Sequence, residues 1–105
     1  MDGEFTERVL QVVERIPSGR VLSYGAVAAL VHERHRGLGG GPRQVGRVMS
    51  LYGDVVPWWR VVRADGRAPR CHEATAIERY RAEGTPLRAG EAAVDMRIAL
   101  WTPDR

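Results

Sequence analysis

The residues of this chain best equipped for chemistry lie in one run, Val56-Pro57-Trp58-Trp59-Arg60-Val61-Val62. Two adjacent indoles follow a proline and precede an arginine. Trp58 and Trp59 are expected to point to opposite faces, one packing inward while the other covers a cleft. Such a pair can be a corner of the core, or a wall against which a flat group lies. The second use is energetically substantial, because stacking a base on an aromatic side chain is worth ~1–3 kcal/mol. Val61 and Val62 are β-branched and Asp65-Gly66 is a turn signal, so the end of the run is expected to pair as a strand.

Nucleophilic and metal chemistry have little to draw on elsewhere. Cys71 is the single cysteine, which excludes an internal disulfide, and no metal-ligand spacing surrounds it. His32 and His35 could share a helix face, but Arg34 and Arg36 beside them would repel a cation. No metal and no cofactor are expected. A thiol enzyme would need Cys71 activated by Arg70 and His72, on a loop folded back to the tryptophans.

The elements that position these residues can be read from patterning. A chain of 105 residues, 44% hydrophobic and 28% charged, fits one globular domain spanning 1–105, with a core that needs no staple. No apolar run approaches the ~20 residues of a membrane span. Met1-Asp2-Gly3-Glu4 is acidic and lacks a signal-peptide pattern, so a cytoplasmic location is expected; a monomer is expected as well, nucleoid-associated if the chain binds DNA. Net charge is +3 and every basic residue is arginine. Guanidinium suits phosphate, but such a set equally reflects a GC-rich genome.

Phe5, Val9, Leu10, Val12, Val13 and Ile16 form one apolar stripe, which predicts a helix from about 4 to 15. Pro17-Ser18-Gly19 ends it, and Ser23 is a good N-cap for a second helix over Tyr24–His32. Gly37–Gly41 makes a long flexible turn, and Pro42 opens a third helix to about Leu51. Arg43, Gln44 and Arg47 project from its outer side, and Gly46 leaves a thin surface. Two such helices fit a helix-turn-helix; the same arginines also suit a plain solvated face. A further helix is expected over His72–Ala82, with Ala74, Ile77 and Tyr80 or Arg81 inward, ended by Gly84. Pro86–Asp95 reads as loose, and Trp101 is expected to cover the core edge.

Three motifs, taken in order, resemble the O6-alkylguanine-DNA alkyltransferases. They are Ser23-Tyr24-Gly25-x-Val27-Ala28, Pro42-Arg43-Gln44-Val45-Gly46-x-Val48-Met49 and Pro57-Trp58-Trp59-Arg60-Val61. The last is similar to that family's Pro-Cys-His-Arg-Val active-site loop, with Trp58 at the acceptor cysteine and Trp59 at its histidine. This is the pattern of alkyltransferase-like proteins, which bind alkylated guanine without removing the alkyl group. The resemblance covers roughly residues 5–84; the Gly37–Gly41 turn has no counterpart and looks like an insertion.

The resemblance implies a mainly α fold: a small helical domain with a helix-turn-helix and a short strand-and-loop corner, similar to the alkyltransferase C-terminal domain and winged-helix-like. It implies double-stranded DNA containing O6-alkylguanine as partner, docked through the minor groove, and a handover to nucleotide excision repair proteins. DNA would be met by Ser23, Tyr24, Arg43, Gln44, Gly46 and Arg47. Tyr24 would rotate a phosphate and Arg43 would fill the gap left by the flipped base, offsetting part of a cost of a few kcal/mol. The lesion pocket would comprise Tyr24, Pro57, Trp58, Trp59, Val61, Val62, Asp65, Gly66, Arg67 and Arg70, with Arg67 or Arg70 over the guanine. Glu83, at the position of the glutamate that orients the family's histidine, would have no partner here. A helix-turn-helix transcriptional regulator and a Cys71-dependent alkyltransferase are the alternatives.

Overall fold

A computed structural model describes residues 3–90 and 92–103. Helices α1 (Gly3–Arg15), α2 (Tyr24–Arg34) and α3 (Pro42–Tyr52) come first, with the two-residue strand β1 (Leu22–Ser23) ahead of α2. Two 3₁₀ turns, Gly53–Val55 and Trp58–Arg60, lead into β2 (Val61–Val62). Helix α4 (Glu73–Glu83) and the short α5 (Met96–Ala99) complete the chain. The fold is therefore mainly α, with helix-turn-helix α2–α3 at its centre.

The predicted start and stop signals act as expected in two places. Ser23 caps α2 by accepting a hydrogen bond from the Ala26 N–H at 3.1 Å. Gly84 ends α4 with φ of 71°, its N–H donating to Arg81 while Thr85 N–H donates to Tyr80. These paired bonds satisfy the last carbonyls of the helix, and they fix Glu83 as its final residue. Helix α2 runs to Arg34 rather than His32. The glycine turn behind it is tied down: the His32 ring bonds the Gly40 carbonyl, and Gly41 N–H donates to the Gln44 side chain at 2.8 Å.

Strand β2 does pair, but in parallel with β1, matching Leu22 to Val61 and Ser23 to Val62. Side chains alternate along a strand, so this small sheet divides the interior. Leu22 and Val61 join the cluster of α1, α2 and α3, built on Phe5, Val9, Val13, Val27, Val31, Val45 and Val48. Val21 and Val62 face a second cluster with Ala68, Ala76, Tyr80, Val94 and Ala99. Trp101 packs on the first cluster, as expected of a residue covering the core edge.

Two expectations fail. The inner face of α4 carries Tyr80 and, partly buried, Ile77 as expected, but its third member is Ala76, and Ala74 is exposed. The register is set by the Tyr80 hydroxyl, which donates to the Trp59 carbonyl at 2.6 Å. Nor is Pro86–Asp95 loose where it is described. Ala93 and Val94 are fully buried, and antiparallel bridges join Arg67 to Ala93 and Leu87 to Val94.

Candidate lesion-binding cleft

A cleft of about 450 Å³ opens beside α3, at the mouth of the helix-turn-helix. That volume lies within the range of small-molecule sites. Its walls come from three places in the chain. Tyr24 stands at the start of α2. Gly46, Met49, Ser50 and Gly53 descend the side of α3 at spacings of three and four. Trp58, Pro69, Arg70 and His72, with Asp54, close the far side. The helical spacing explains the α3 wall: Val45 and Val48 turn into the core, so the next face of the helix, with small or flexible side chains, borders the opening.

Trp58 is the flat wall. Its ring centre lies 5.6 Å from that of Trp59, nearly perpendicular at 88°, and 5.5 Å from that of His72, tilted by 58°. The two indoles do face different surroundings. Trp58 borders the cleft, whereas Trp59 turns toward α4, where its Nε1 donates to a Glu83 oxygen at 3.1 Å. Arg60 and Arg79 lie by the Trp59 ring, their guanidinium carbons 5.4 and 4.7 Å from its centre. Cation–π contacts of this kind are worth ~0.5–2 kcal/mol.

Glu83 is thus far from partnerless, and the expectation that it would be idle is corrected. Arg60 donates to its carboxylate through Nε at 3.1 Å and Nη2 at 2.5 Å, and Gly19 N–H adds a fourth bond at 3.3 Å. Arg60 reaches the Ile16 carbonyl at 2.9 Å as well. One carboxylate thereby ties the 3₁₀ turn carrying Trp58 to α4 and to the turn that follows α1. Burial works to raise the Glu83 carboxyl, but hydrogen bonds from Arg60, Gly19 and Trp59 and the Arg60 charge together hold it below the usual range. Burial also pushes the Tyr24 hydroxyl up, against the pull of nearby Arg63, so at neutral pH it stays a donor.

The expected pocket residues separate into two groups. Tyr24, Trp58 and Arg70 line the cleft. Val61 and Val62 do not: both are fully buried, one in each cluster. Pro57 and Trp59 are half-buried and do not line the cleft. Asp65, Gly66 and Arg67 form a tight turn elsewhere, where Arg67 Nε lies 3.2 Å from Asp65. The Arg67 N–H also donates to that carboxylate, and this bond is the first cause of its acidic shift. Gly66 has φ of 90°, and a Cβ there would lie 2.3 Å from the Val94 carbonyl oxygen, so the glycine admits the crossing chain.

On the expected DNA face, Arg43, Gln44 and Arg47 are exposed along α3 and Gly46 borders the cleft. Ser23 and Gln44 are engaged in capping. Six cleft residues were not anticipated: Met49, Ser50, Gly53, Asp54, Pro69 and His72. The spacing 46, 49, 50, 53 is the sequence signal that could have found the α3 members. Cys71 is exposed with φ of 71° and does not line the cleft. Among the described residues, no group of three His, Cys, Asp or Glu could hold a metal ion, and no helix is long and apolar enough to cross a membrane.

Comparison with known proteins agrees with this architecture. The 6-O-methylguanine DNA methyltransferase, DNA binding domain, matches residues 4–84. The DNA base-flipping protein of Escherichia coli is 40% identical over 104 residues, covering 95% of this chain and 76% of that protein. Alkyltransferase-like protein 1 of Schizosaccharomyces pombe is 30% identical over 109 residues, covering 95% of this chain and 96% of that protein. The crystal structure of S. pombe Atl1 in complex with damaged DNA containing O6-carboxymethylguanine superposes with a TM-score of 0.79 at 27% identity, covering 98% of this chain and 99% of that one.

Proposed function

The chain belongs to the family of the 6-O-methylguanine DNA methyltransferase DNA-binding domain, as an alkyltransferase-like member, and we propose that it is a non-enzymatic reader of alkylated guanine in duplex DNA. In this reading α3 enters the minor groove. Tyr24 turns the phosphate, Arg43 occupies the vacated stack, and the extruded base enters the cleft against Trp58. The observation that carries the proposal is the cleft itself. It opens at the helix-turn-helix, has the volume for a small ligand, and is walled by Trp58, the residue that the motif resemblance aligns with the family's acceptor cysteine. Alkyl transfer needs a thiolate and a base to activate it. Indole offers neither, but its flat apolar face favours an alkylated base over water. The bound complex would then mark the lesion for nucleotide excision repair in the cytoplasm. A sequence-specific regulator would read the major groove with the arginine face and leave this cleft without a use.

The test is affinity for matched duplexes with and without one O6-methylguanine, followed by recovery of the DNA. Tighter binding to the damaged duplex and an unchanged methyl group are expected. Equal affinities would overturn the reading, as would stoichiometric methyl transfer to Cys71.

Trp58→Ala separates wall from scaffold. As a wall, the indole accounts for ~1–3 kcal/mol of lesion binding, or roughly a 5- to 150-fold loss of selectivity, with Trp58→Phe intermediate. As a core residue, its removal would cost ~3–5 kcal/mol of stability. Thermal melting alongside the titration decides. A collapsed melting temperature with lesion preference intact would make Trp58 scaffold.

A further inference from the structure

Arg15 and Arg34 are the last residues of α1 and α2, where a cation suits the negative end of a helix. That role would be met with each arginine alone in solvent on its own helix. Instead both line one hollow of about 80 Å³ between the two helices. Val12 and Val31, both buried, supply its apolar part, and Arg8, Gln11 and His35 complete the wall. Among the described residues, no carboxylate lines it. Three arginines round so small a space repel one another unless an anion joins them. Counter-charges are few. Glu4 lies 3.5 Å from Arg8, and Glu7 accepts from Gln11 at 3.4 Å. Among the described residues, the side chains of Arg15 and Arg34 have neither hydrogen bond nor ion pair. Arg8 Nε is buried without an acceptor, and a buried donor left unpaired is costly.

We propose that this hollow is a second anion site, which holds one phosphate group on Arg15 and Arg34 with Arg8 Nε as a further donor. Size favours that ligand. The hollow exceeds the ~10–15 Å³ that one water needs but falls far short of the ~300–1,000 Å³ of small-molecule pockets, so it takes a tetrahedral oxyanion and not a base. Guanidinium forks match phosphate oxygens two at a time. The site shares no lining residue with the lesion cleft. Tyr24 opens α2 and Arg34 closes it, about 15 Å away along the axis. Two sources carry the same chemistry: the phosphodiester of a DNA backbone, and free phosphate or a phosphate monoester. The proposal stands apart from the lesion reading and does not require it.

The test titrates inorganic phosphate into the full chain at fixed pH, with chloride at matched ionic strength as control, and follows the backbone amide and arginine Nε–H resonances. Saturable shifts are expected at Arg8 Nε–H and at the residues of the hollow. A few partly exposed charge pairs place half-saturation in the millimolar range. The double variant Arg15→Gln, Arg34→Gln should weaken phosphate at least about tenfold. Arg15→Lys with Arg34→Lys keeps the charge but loses the fork, and should fall between. Arg15 and Arg34 are exposed, so both double variants should melt as the wild type does. Shifts that chloride reproduces, or that persist in the glutamine pair, overturn the proposal. Duplex titrations then identify the source. With a backbone phosphate, the glutamine pair lowers affinity for plain and O6-methylguanine duplexes by the same factor and reduces the salt slope by about one unit. With free phosphate or a monoester, both duplexes bind as before. A loss confined to the damaged duplex would make the hollow part of lesion binding and overturn its separate role. Absence of phosphate binding leaves any preference for the lesion standing, so the two readings fail separately.

Discussion

Glu83→Ala is expected to cost about 3–5 kcal/mol of stability, the scale for breaking a largely buried ion pair by deleting one partner. The carboxylate and Arg60 are 14% and 16% exposed, so Arg60 would keep its bond to Ile16 and its contact with the Trp59 ring but lose its counter-charge. Trp59 Nε1 would lose its acceptor in the same step. For a domain of this size the melting temperature should fall by roughly 15 °C or more. Glu83→Gln keeps an acceptor for Trp59 and should lie between. The pH dependence gives a second readout. The folded carboxyl is held below its ordinary value, so its contribution is present above the unfolded pKa of about 4.3 and is lost as pH falls through the folded value. Denaturant titrations at neutral pH and near pH 3 should therefore show the gap between wild type and Glu83→Gln narrowing in acid. A gap that stayed constant would mean that the charge of Glu83 contributes nothing, and that packing alone explains the variants.

Arg43→Ala should reduce lesion binding by a few kcal/mol, on the scale of unstacking a base, while plain duplex loses less. Arg43 is exposed in the first turn of α3, so its removal should leave the melting temperature nearly unchanged. Filling the space under an extruded base is an interaction made only with flipped DNA. A phosphate contact is made with any duplex, and its loss lowers all affinities together and reduces the salt slope by about one unit. Titrating both duplexes at several salt concentrations distinguishes the two. A uniform loss would falsify the gap-filling role and leave Arg43 as a positioning cation.

Much of the fold was legible because its signals are local. The stripe from Phe5 to Ile16, the Ser23 cap, Pro42 at the start of α3 and Gly84 at the end of α4 each act within a turn of helix. The misreadings all involve partners distant in sequence. Ala93 and Val94 looked like loop because nothing nearby covers them; their cover is the 66–68 segment and Leu87. On α4, Ile77 and Tyr80 were legible as inward; Ala74 was taken in place of Ala76, which shares the face that the Tyr80 hydroxyl docks on the Trp59 carbonyl. Glu83 looked idle because its expected partner was a histidine. Indole Nε1 is also a donor, and it takes that place. In the cleft, the family resemblance located Tyr24, Trp58 and Arg70. It also placed Val61, Val62 and the Asp65–Arg67 turn nearby, since closeness in the chain says little about which side of a two-residue strand a side chain takes.

The parallel pairing of Leu22–Ser23 with Val61–Val62 bears on how the molecule comes together. The helix-turn-helix closes through contacts between consecutive helices, whereas this pair and the Gly19–Glu83 bond must close long loops before they contribute. On topology alone the arginine face is expected to form first in assembly, and the cleft only when the last long loop shuts. The same order holds for partial opening, since regions that depend on distant contacts can open without global unfolding. A molecule opened along the β1–β2 seam would retain α2, α3 and their affinity for phosphate yet have no wall for a base. If the proposed function holds, general attraction to DNA and discrimination of damage would then rest on different parts of the fold.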